Sequence, residues 1–177
     1  MEKDKIQFSV QMTAKEVYRF TMYHMYHGLS GIFGICMSLL AFVILLISFD
    51  SLTEQSKTIL GLIAIWFILI DPVILLFRSQ GQVKRNKSYQ KPLIYQLSQD
   101  GITVSQDELE QTITWDNLMK IVETKSQFLV YSSRVHAFVF PKKAIGEESD
   151  IVRAMLIQYT EGKNVRLNGM IKKQKRS

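Results

Sequence analysis

The chain has little of what most enzymes and exported domains require. It contains one cysteine, Cys36, so it cannot form a disulfide framework of the kind that exported small domains use. It has no glycine-rich phosphate loop, no Cys and His spacing typical of zinc, and no nucleophile elbow. We therefore expect no catalytic residues, no cofactor-binding residues and no metal ligands, and we predict that the protein is not an enzyme.

Histidine is also scarce, and two of the 3 histidines lie in one predicted helix. This helix begins after Thr13, which forms a capping box with Glu16 in the sequence. His24 and His27 are three residues apart, a spacing that suits a metal site or a pH sensor. With no further ligand nearby and several tyrosines around them, we favour an interfacial helix whose histidines are in contact with water.

Two apolar runs dominate the chain, Leu29–Phe49 and Ile59–Phe77, separated by the polar segment DSLTEQSKT. Each is about 20 residues long, which at about 1.5 Å per residue crosses a hydrocarbon core of roughly 30 Å. Neither run has the two-residue period of a membrane β-strand, so we predict a transmembrane hairpin of two helices. A buried hairpin inside a soluble protein is the alternative, but the rest of the chain is too short to cover both helices.

Basic residues are concentrated on one side of this hairpin. The second run is followed, with no acid among them, by Arg78, Lys84, Arg85, Lys87 and Lys91. The C-terminal tail carries a second set, Lys172, Lys173, Lys175 and Arg176. Because Lys and Arg favour cytoplasmic flanks, we predict a cell-membrane protein with two spans, both termini in the cytoplasm, and these bases at the anionic lipid surface.

Asp71 is the one carboxylate inside the predicted spans. At this depth it costs about 3 kcal/mol on insertion scales, so we expect it to face a partner. If the chain turns near Glu54, Ser38 lies level with Asp71, and we predict an intramembrane polar pair in which the hydroxyl donates to the carboxyl. Pro72 should kink the helix. Whether Asp71 is structural, or part of an ion, proton or assembly site, stays open.

Small residues also recur at helical spacing on both predicted spans, which allows two helices to approach closely. On the first span they are Gly31, Gly34, Ser38 and Ala41, and the stripe on the second span comprises Gly61, Ala64, Ile68 and Asp71. We expect the two stripes to face each other.

The rest of the chain has the short segments of strands, bounded by turn residues, and IQFSVQM and ITVS also alternate apolar and polar residues as half-buried strands do. We predict strands at IQFSVQM near the N-terminus and then at LIYQLS, ITVS, LEQTITW, KIVETK, FLVYSS and HAFVFP. A helix over residues 148–159 should cover the sheet with Ile151 or Val152, Met155, Leu156 and Tyr159. Trp115 is expected in the core or at the seam between helix and sheet. The soluble domain can also recruit the N-terminal strand, which lies on the same side of the membrane.

These elements divide the chain into five segments. They are an N-terminal strand and interfacial amphipathic helix (1–28), the hairpin (29–77), a basic linker (78–91), the soluble domain (92–168) and a basic tail (169–177). The soluble domain carries more acids than bases, which disfavours nucleic acid as a partner.

The order of elements resembles the YcxB-like family of small bacterial membrane proteins. The positions that carry the resemblance are Tyr95, Gly101, Ile102, Trp115, Ile121, Glu123, Tyr131, Pro141 and Lys142. The resemblance implies an α+β membrane protein: a two-helix transmembrane hairpin plus a cytoplasmic antiparallel half-barrel of the pleckstrin-homology (PH) type, capped by a C-terminal helix. It implies no activity, because the family brings no catalytic motif.

Two classes of function remain. The first is a non-enzymatic binding or scaffold protein that presents a PH-like domain at the cytoplasmic face, where it recognises a protein segment or a lipid headgroup, for instance by strand addition at an open sheet edge. The second is a resistance or immunity protein in which the hairpin contacts a membrane-acting bacteriocin or toxin. Membrane lipids are partners in both classes, and a protein partner binds the domain in the first and the hairpin in the second.

Overall fold

The computed structural model describes residues 5–160 and 164–166 and has an α+β fold. The chain forms two compact units. The first, which we call the two-sheet unit, consists of the described residues of Met1–Met12 and Asn86–Ser177. The second, the helical unit, is Thr13–Arg85. The N-terminal strand therefore belongs to the same unit as the C-terminal half of the chain, and the predicted segment 1–28 is divided after Met12.

The helical unit contains two helices that are long and apolar enough to cross a membrane. The first is α2 (Leu29–Ile47), which follows α1 (Ala14–Tyr26). The second is a helix of 32 residues that consists of α3 (Glu54–Ile65), a π-helical turn at Trp66–Ile70, and α4 (Asp71–Arg85). We call it the long helix. Within the unit, α2 packs against α3, and α1 packs against α4.

The helix starts differ in how they are capped. At α3, the hydroxyl of Thr53 accepts the backbone N–H of Ser56 at 3.3 Å, as a good N-cap does. At α1, Thr13 occupies the N-cap position but its side chain makes no capping hydrogen bond. Its carbonyl instead accepts the N–H of Val17 at 3.1 Å, and one carboxyl oxygen of Glu16 is buried without a partner. The predicted capping box is therefore not formed.

The two-sheet unit is built from two four-stranded sheets. The first has the order β1-β2-β3-β4, with β1 (Ile6–Val10), β2 (Leu93–Ser98), β3 (Gly101–Gln106) and β4 (Leu109–Ile113). The second has the order β7-β6-β5-β8, with β5 (Lys120–Glu123), β6 (Gln127–Tyr131), β7 (Ala137–Pro141) and β8 (Asn164–Arg166).

Most of these strands match the prediction, and β1 pairs with β2, so the N-terminal strand is recruited as expected. All neighbouring strands are antiparallel except β5 and β8, which are parallel. Neither β8 nor the short helix α5 (Lys142–Ile145) was predicted from the sequence. A three-residue strand is too short to show a two-residue period.

Aromatic rings connect the two sheets. Phe8 of β1 stacks on Tyr95 of β2 with ring centroids 5.8 Å apart, and it meets Phe140 of β7 edge to face at 5.2 Å. Tyr95 also meets Phe140 at 4.8 Å. Because Phe8 and Tyr95 belong to one sheet and Phe140 to the other, this cluster forms the centre of the core.

The helix α6 (Ser149–Tyr159) covers part of the core, and its apolar stripe was predicted with one alternative open. The structure buries Val152 and leaves Ile151 52% exposed. At the end of α6, Tyr159 stacks on Trp115 with centroids 5.2 Å apart, and the indole N–H of Trp115 donates to the carbonyl of Ser98 at 2.9 Å. The predicted place of Trp115, at the seam of helix and sheet, is confirmed.

Candidate functional site

The long helix loses its regular hydrogen bonding just before Pro72. The N–H of Asp71 donates to the carbonyl of Trp66, five residues back, which makes the turn π-helical. The carbonyl of Phe67 has two possible backbone donors. In the π-helical register the donor would be the N–H of residue 72, but Pro72 has none. In the α-helical register it would be the N–H of Asp71, which already donates to Trp66. The carbonyl oxygen of Phe67 is thus left without a backbone donor.

A tyrosine from another helix supplies a donor. The hydroxyl of Tyr26, the last residue of α1, donates to the carbonyl oxygen of Phe67 at 2.5 Å. Burial, and after it the negative charge of Asp71, raises the pKa of Tyr26, so the phenol keeps its proton. Sequence reasoning did not single out Tyr26. The signal that could have pointed to it is a tyrosine just before a span, combined with a proline in the facing helix.

Ser38 is fully buried, but its predicted hydrogen bond to Asp71 is replaced by another one. Its hydroxyl donates to the carbonyl of Ile63 at 2.8 Å. The chain turns at Phe49–Ser51, earlier than the position near Glu54 that was assumed. In an antiparallel pair, each residue by which the turn moves shifts the facing residue by two. Ser38 therefore lies level with Ile63, and the neighbour of Asp71 is Tyr26.

Small residues allow the two long helices to approach closely. The buried residues of α2 are the four members of its predicted stripe, Gly31, Gly34, Ser38 and Ala41. A Cβ atom on Gly34 would lie 2.4 Å from the ring of Phe67, so the ring occupies the space that glycine leaves. On the facing helix the stripe is only partly buried: Ala64 is buried, whereas a Cβ on Gly61 would meet nothing within 4 Å.

A buried ion network lies in the two-sheet unit. The carboxylate of Glu123 on β5 is 0% exposed and accepts hydrogen bonds from Nε and Nη2 of Arg153 at 3.1 and 2.5 Å. Nζ of Lys142 donates to it at 2.5 Å, and Asp150 binds the far side of Arg153 at 2.8 Å. Burial alone would raise the pKa of Glu123, but the hydrogen bonds and charges of Arg153 and Lys142 outweigh it and lower the pKa. The network holds α6 against the sheet.

Within the described residues, β4 pairs only with β3 and forms one edge of its sheet. Gln106 and Leu109 pair across a two-residue loop, so this pair is hydrogen-bonded and alternate pairs follow it. The backbone N–H and C=O groups of Glu110 and Thr112 therefore point away from β3. Both residues are exposed. This free edge can accept the backbone of an extended segment.

The predicted membrane-surface bases fall into three groups. Arg78, Lys84 and Arg85 are exposed on the last turns of α4, so the first part of the predicted linker is helical. Lys87 is exposed in a 3-10 turn, and Lys91 forms an ion pair with Asp107 at 2.6 Å. The tail residues Lys172, Lys173, Lys175 and Arg176 lie outside the described residues.

In the part of the chain that the structure describes, no three His, Cys, Asp or Glu side chains are placed to hold a metal ion. His24 and His27 stack on the aromatic rings of Phe20 and Tyr23, with centroids 6.0 and 4.0 Å apart. The imidazole of His27 also approaches the carbonyl of Tyr23 at 3.1 Å. Both histidines are exposed and belong to an aromatic helix surface.

Comparison with known proteins gives one match. Residues 97–156 match the model of a family described as YcxB-like protein. The segment runs from β2 into α6 and contains the positions on which the resemblance was based, except Tyr95. The resemblance is therefore confirmed over this segment. No curated protein and no solved structure gives a significant match.

Proposed function

We propose that this chain, whose residues 97–156 match the YcxB-like family, is a non-enzymatic binding or scaffold protein of a bacterial cell membrane. In this proposal the helical unit anchors the chain with both termini in the cytoplasm. The two-sheet unit is a PH-like domain that binds a partner at the cytoplasmic face. Its two packed sheets and the helix α6 support the PH-like assignment.

The apolar surface of the helical unit supports the membrane anchor. Only 22% and 11% of the most apolar windows of the two long helices are buried. Large side chains such as Leu29, Phe33 and Ile47 are 90%, 67% and 80% exposed. A soluble monomer rarely leaves apolar patches of more than a few hundred Å² in contact with water, whereas a bilayer covers them.

The length of the second helix supports the orientation. Its 32 residues extend about 48 Å at about 1.5 Å per residue, more than a hydrocarbon core of roughly 30 Å. Residues 54–58 precede the apolar run, and the longer excess, residues 78–85, follows it and carries Arg78, Lys84 and Arg85, all exposed. Basic residues at a projecting helix end favour the cytoplasmic leaflet, where anionic lipids attract them.

The observation that carries the binding role is the free edge of β4. Its outward backbone groups at Glu110 and Thr112 offer hydrogen bonds to an extended segment, and a row of such groups is a template for strand addition. Glu108 and Glu110 are exposed beside this edge. We therefore propose an extended, basic protein segment as the partner, because acidic side chains at the edge attract Lys and Arg and repel acidic segments.

Proline at position 112 tests this proposal. Thr112→Pro removes the N–H that points away from β3, and an edge strand tolerates proline where its N–H faces outward. The side chain of Thr112 also shares a hydrogen bond with Thr103 at 2.9 Å, so Thr112→Val is the matched control that loses only this hydroxyl. A photoreactive amino acid at position 110 of the full-length protein, in native membranes, reports the partner.

We expect the position-110 crosslink to a protein to persist in Thr112→Val and to disappear in Thr112→Pro at equal protein abundance. A crosslink that survives Thr112→Pro, or one that contains only lipid, contradicts strand addition. A second assay addresses the resistance alternative: if residues 28–80 alone protect cells from a pore-forming peptide as well as the full chain does, the hairpin is more than an anchor and the proposal fails.

A further inference from the structure

Tyr26 meets the long helix at a carbonyl that has lost both its α-helical and its π-helical donor, the carbonyl of Phe67. The N–H of Asp71 donates to the carbonyl of Trp66, and Pro72 has no N–H. The hydroxyl of Tyr26 donates to this oxygen, the carbonyl of Phe67. The side chain of the same Phe67 packs where a Cβ on Gly34 would stand, so its ring and its carbonyl are fixed from two helices at once.

We propose that the phenol of Tyr26 takes the place of the N–H that Pro72 lacks, and that it latches α1 to the long helix at the π turn. In a membrane no water is at hand to satisfy the carbonyl when Tyr26 leaves, so α1 separates only if a polar backbone group is left unpaired. Two features far apart in the sequence thus depend on each other. The irregular turn at Pro72 leaves the carbonyl of Phe67 without a backbone donor, and the hydroxyl of Tyr26 supplies the missing hydrogen bond.

The proposal predicts a coupling between Tyr26 and Pro72 that a simple packing role does not. Tyr26→Phe removes only the hydroxyl and should free α1. Pro72→Ala returns an N–H to the helix, which can then close in the α-helical register and give Phe67 a backbone donor. In that background the hydroxyl of Tyr26 has no vacant carbonyl to satisfy, and its removal should have little effect.

Trypsin cleavage after Arg19 measures the release of α1, because Arg19 is an exposed residue of this helix and cleavage follows the population of its open form. The full-length protein in detergent micelles is digested, and fragments are identified by mass. We expect Tyr26→Phe to speed this cleavage about tenfold, as loss of a hydrogen bond to a buried group does. Tyr18→Phe, the same change on the same helix, should stay within about twofold of wild type because its hydroxyl makes no hydrogen bond in the described residues.

In the Pro72→Ala background, adding Tyr26→Phe should change the rate less than about twofold. The proposal is overturned if Tyr26→Phe matches wild type, or if it speeds cleavage by the same factor with proline and with alanine at position 72. Circular dichroism checks that each variant keeps its helix content. If Pro72→Ala loses it, Pro72→Ser restores the same N–H and replaces it in the comparison.

Discussion

The large aromatic side chains of the two units are placed in opposite ways. In the two-sheet unit, Phe128 and Phe140 are 0% exposed, whereas in the helical unit Phe33 and Phe77 are 67% and 66% exposed. The residue type is the same, and the difference is what the proposed membrane anchor requires, with hydrocarbon around the helical unit and water around the two-sheet unit. A protein surrounded by water buries its aromatic rings inside, whereas a helix surrounded by hydrocarbon can leave them on its outer surface.

The units also differ in how they satisfy buried polar groups. In the two-sheet unit the carboxylate of Glu123 is paired with two cations, Lys142 and Arg153. In the helical unit, side-chain hydroxyls donate hydrogen bonds to backbone carbonyls. Tyr26 donates to the carbonyl of Phe67, and Ser38 donates to the carbonyl of Ile63. Asp71 forms no ion pair with any described residue. Among the described residues, the two-sheet unit thus buries an ion network in addition to neutral hydrogen bonds such as that of Trp115 to Ser98, whereas these buried contacts of the helical unit are neutral, which costs less in an apolar medium.

The largest expected contrast comes from deleting one ring in each unit. Phe140→Ala should lower the free energy of unfolding of the two-sheet unit by about 3–5 kcal/mol, because the ring is fully buried. Phe33→Ala should change it by less than about 0.5 kcal/mol. Both are measured in detergent by Trp115 fluorescence in a Trp66→Phe background, so that the signal comes from the two-sheet unit. A loss of several kcal/mol from Phe33→Ala would break the comparison.

The next effect concerns the buried carboxylate. Arg153→Met should destabilise the two-sheet unit by about 3 kcal/mol, because the buried charge of Glu123 then loses the two hydrogen bonds of the guanidinium. Glu123→Gln should cost less, about 1–2 kcal/mol, since Lys142 and Arg153 are partly exposed and can turn to water. The same fluorescence assay measures both. If Glu123→Gln lowers the free energy of unfolding more than Arg153→Met does, the cost of a poorly paired buried charge is not the main effect in this network.

Acid provides an independent check on that network. Folding lowers the pKa of Glu123, so the native state binds its proton less readily than the unfolded state does. The stabilisation is therefore complete above the ordinary carboxyl value of 4.5 and is lost as the pH falls below it. Wild type should lose stability in this range more steeply than Arg153→Met, which lacks the Arg153 hydrogen bonds and keeps only that of Lys142 among the two that lower the pKa. Parallel pH profiles would contradict this assignment.

The smallest expected effect separates the two glycines of the hairpin. Gly34→Ala should destabilise the packing of α2 on the long helix by about 1–3 kcal/mol, because the new methyl overlaps the ring of Phe67. Gly61→Ala meets open space and should stabilise its helix by up to about 1 kcal/mol. Thermal loss of helix signal in detergent measures both. Equal effects would mean that α2 and the long helix do not pack as closely as Gly34 suggests.

The sequence alone determined those helices and strands whose signal lies in consecutive residues. The first apolar run predicts a helix over Leu29–Phe49, and α2 covers Leu29–Ile47. Alternation at β1 and β3, and short apolar segments bounded by turn residues elsewhere, predicted β1 to β7. The small-residue stripe predicted the buried face of α2. These patterns lie within one helix or strand, so the chemistry that sets each one is present in neighbouring residues.

The tertiary structure decided the partners. Tyr26 and Phe67 are 41 residues apart in the chain, Glu123 and Arg153 are 30 apart, and Ser38 and Ile63 are 25 apart. A turn near Glu54 would bring Ser38 level with Asp71, but the chain turns at Phe49–Ser51, and each residue by which the turn moves shifts the facing residue by two. Local pattern cannot resolve such a register, since it depends on where the chain turns and on which side chains fit once the helices have met.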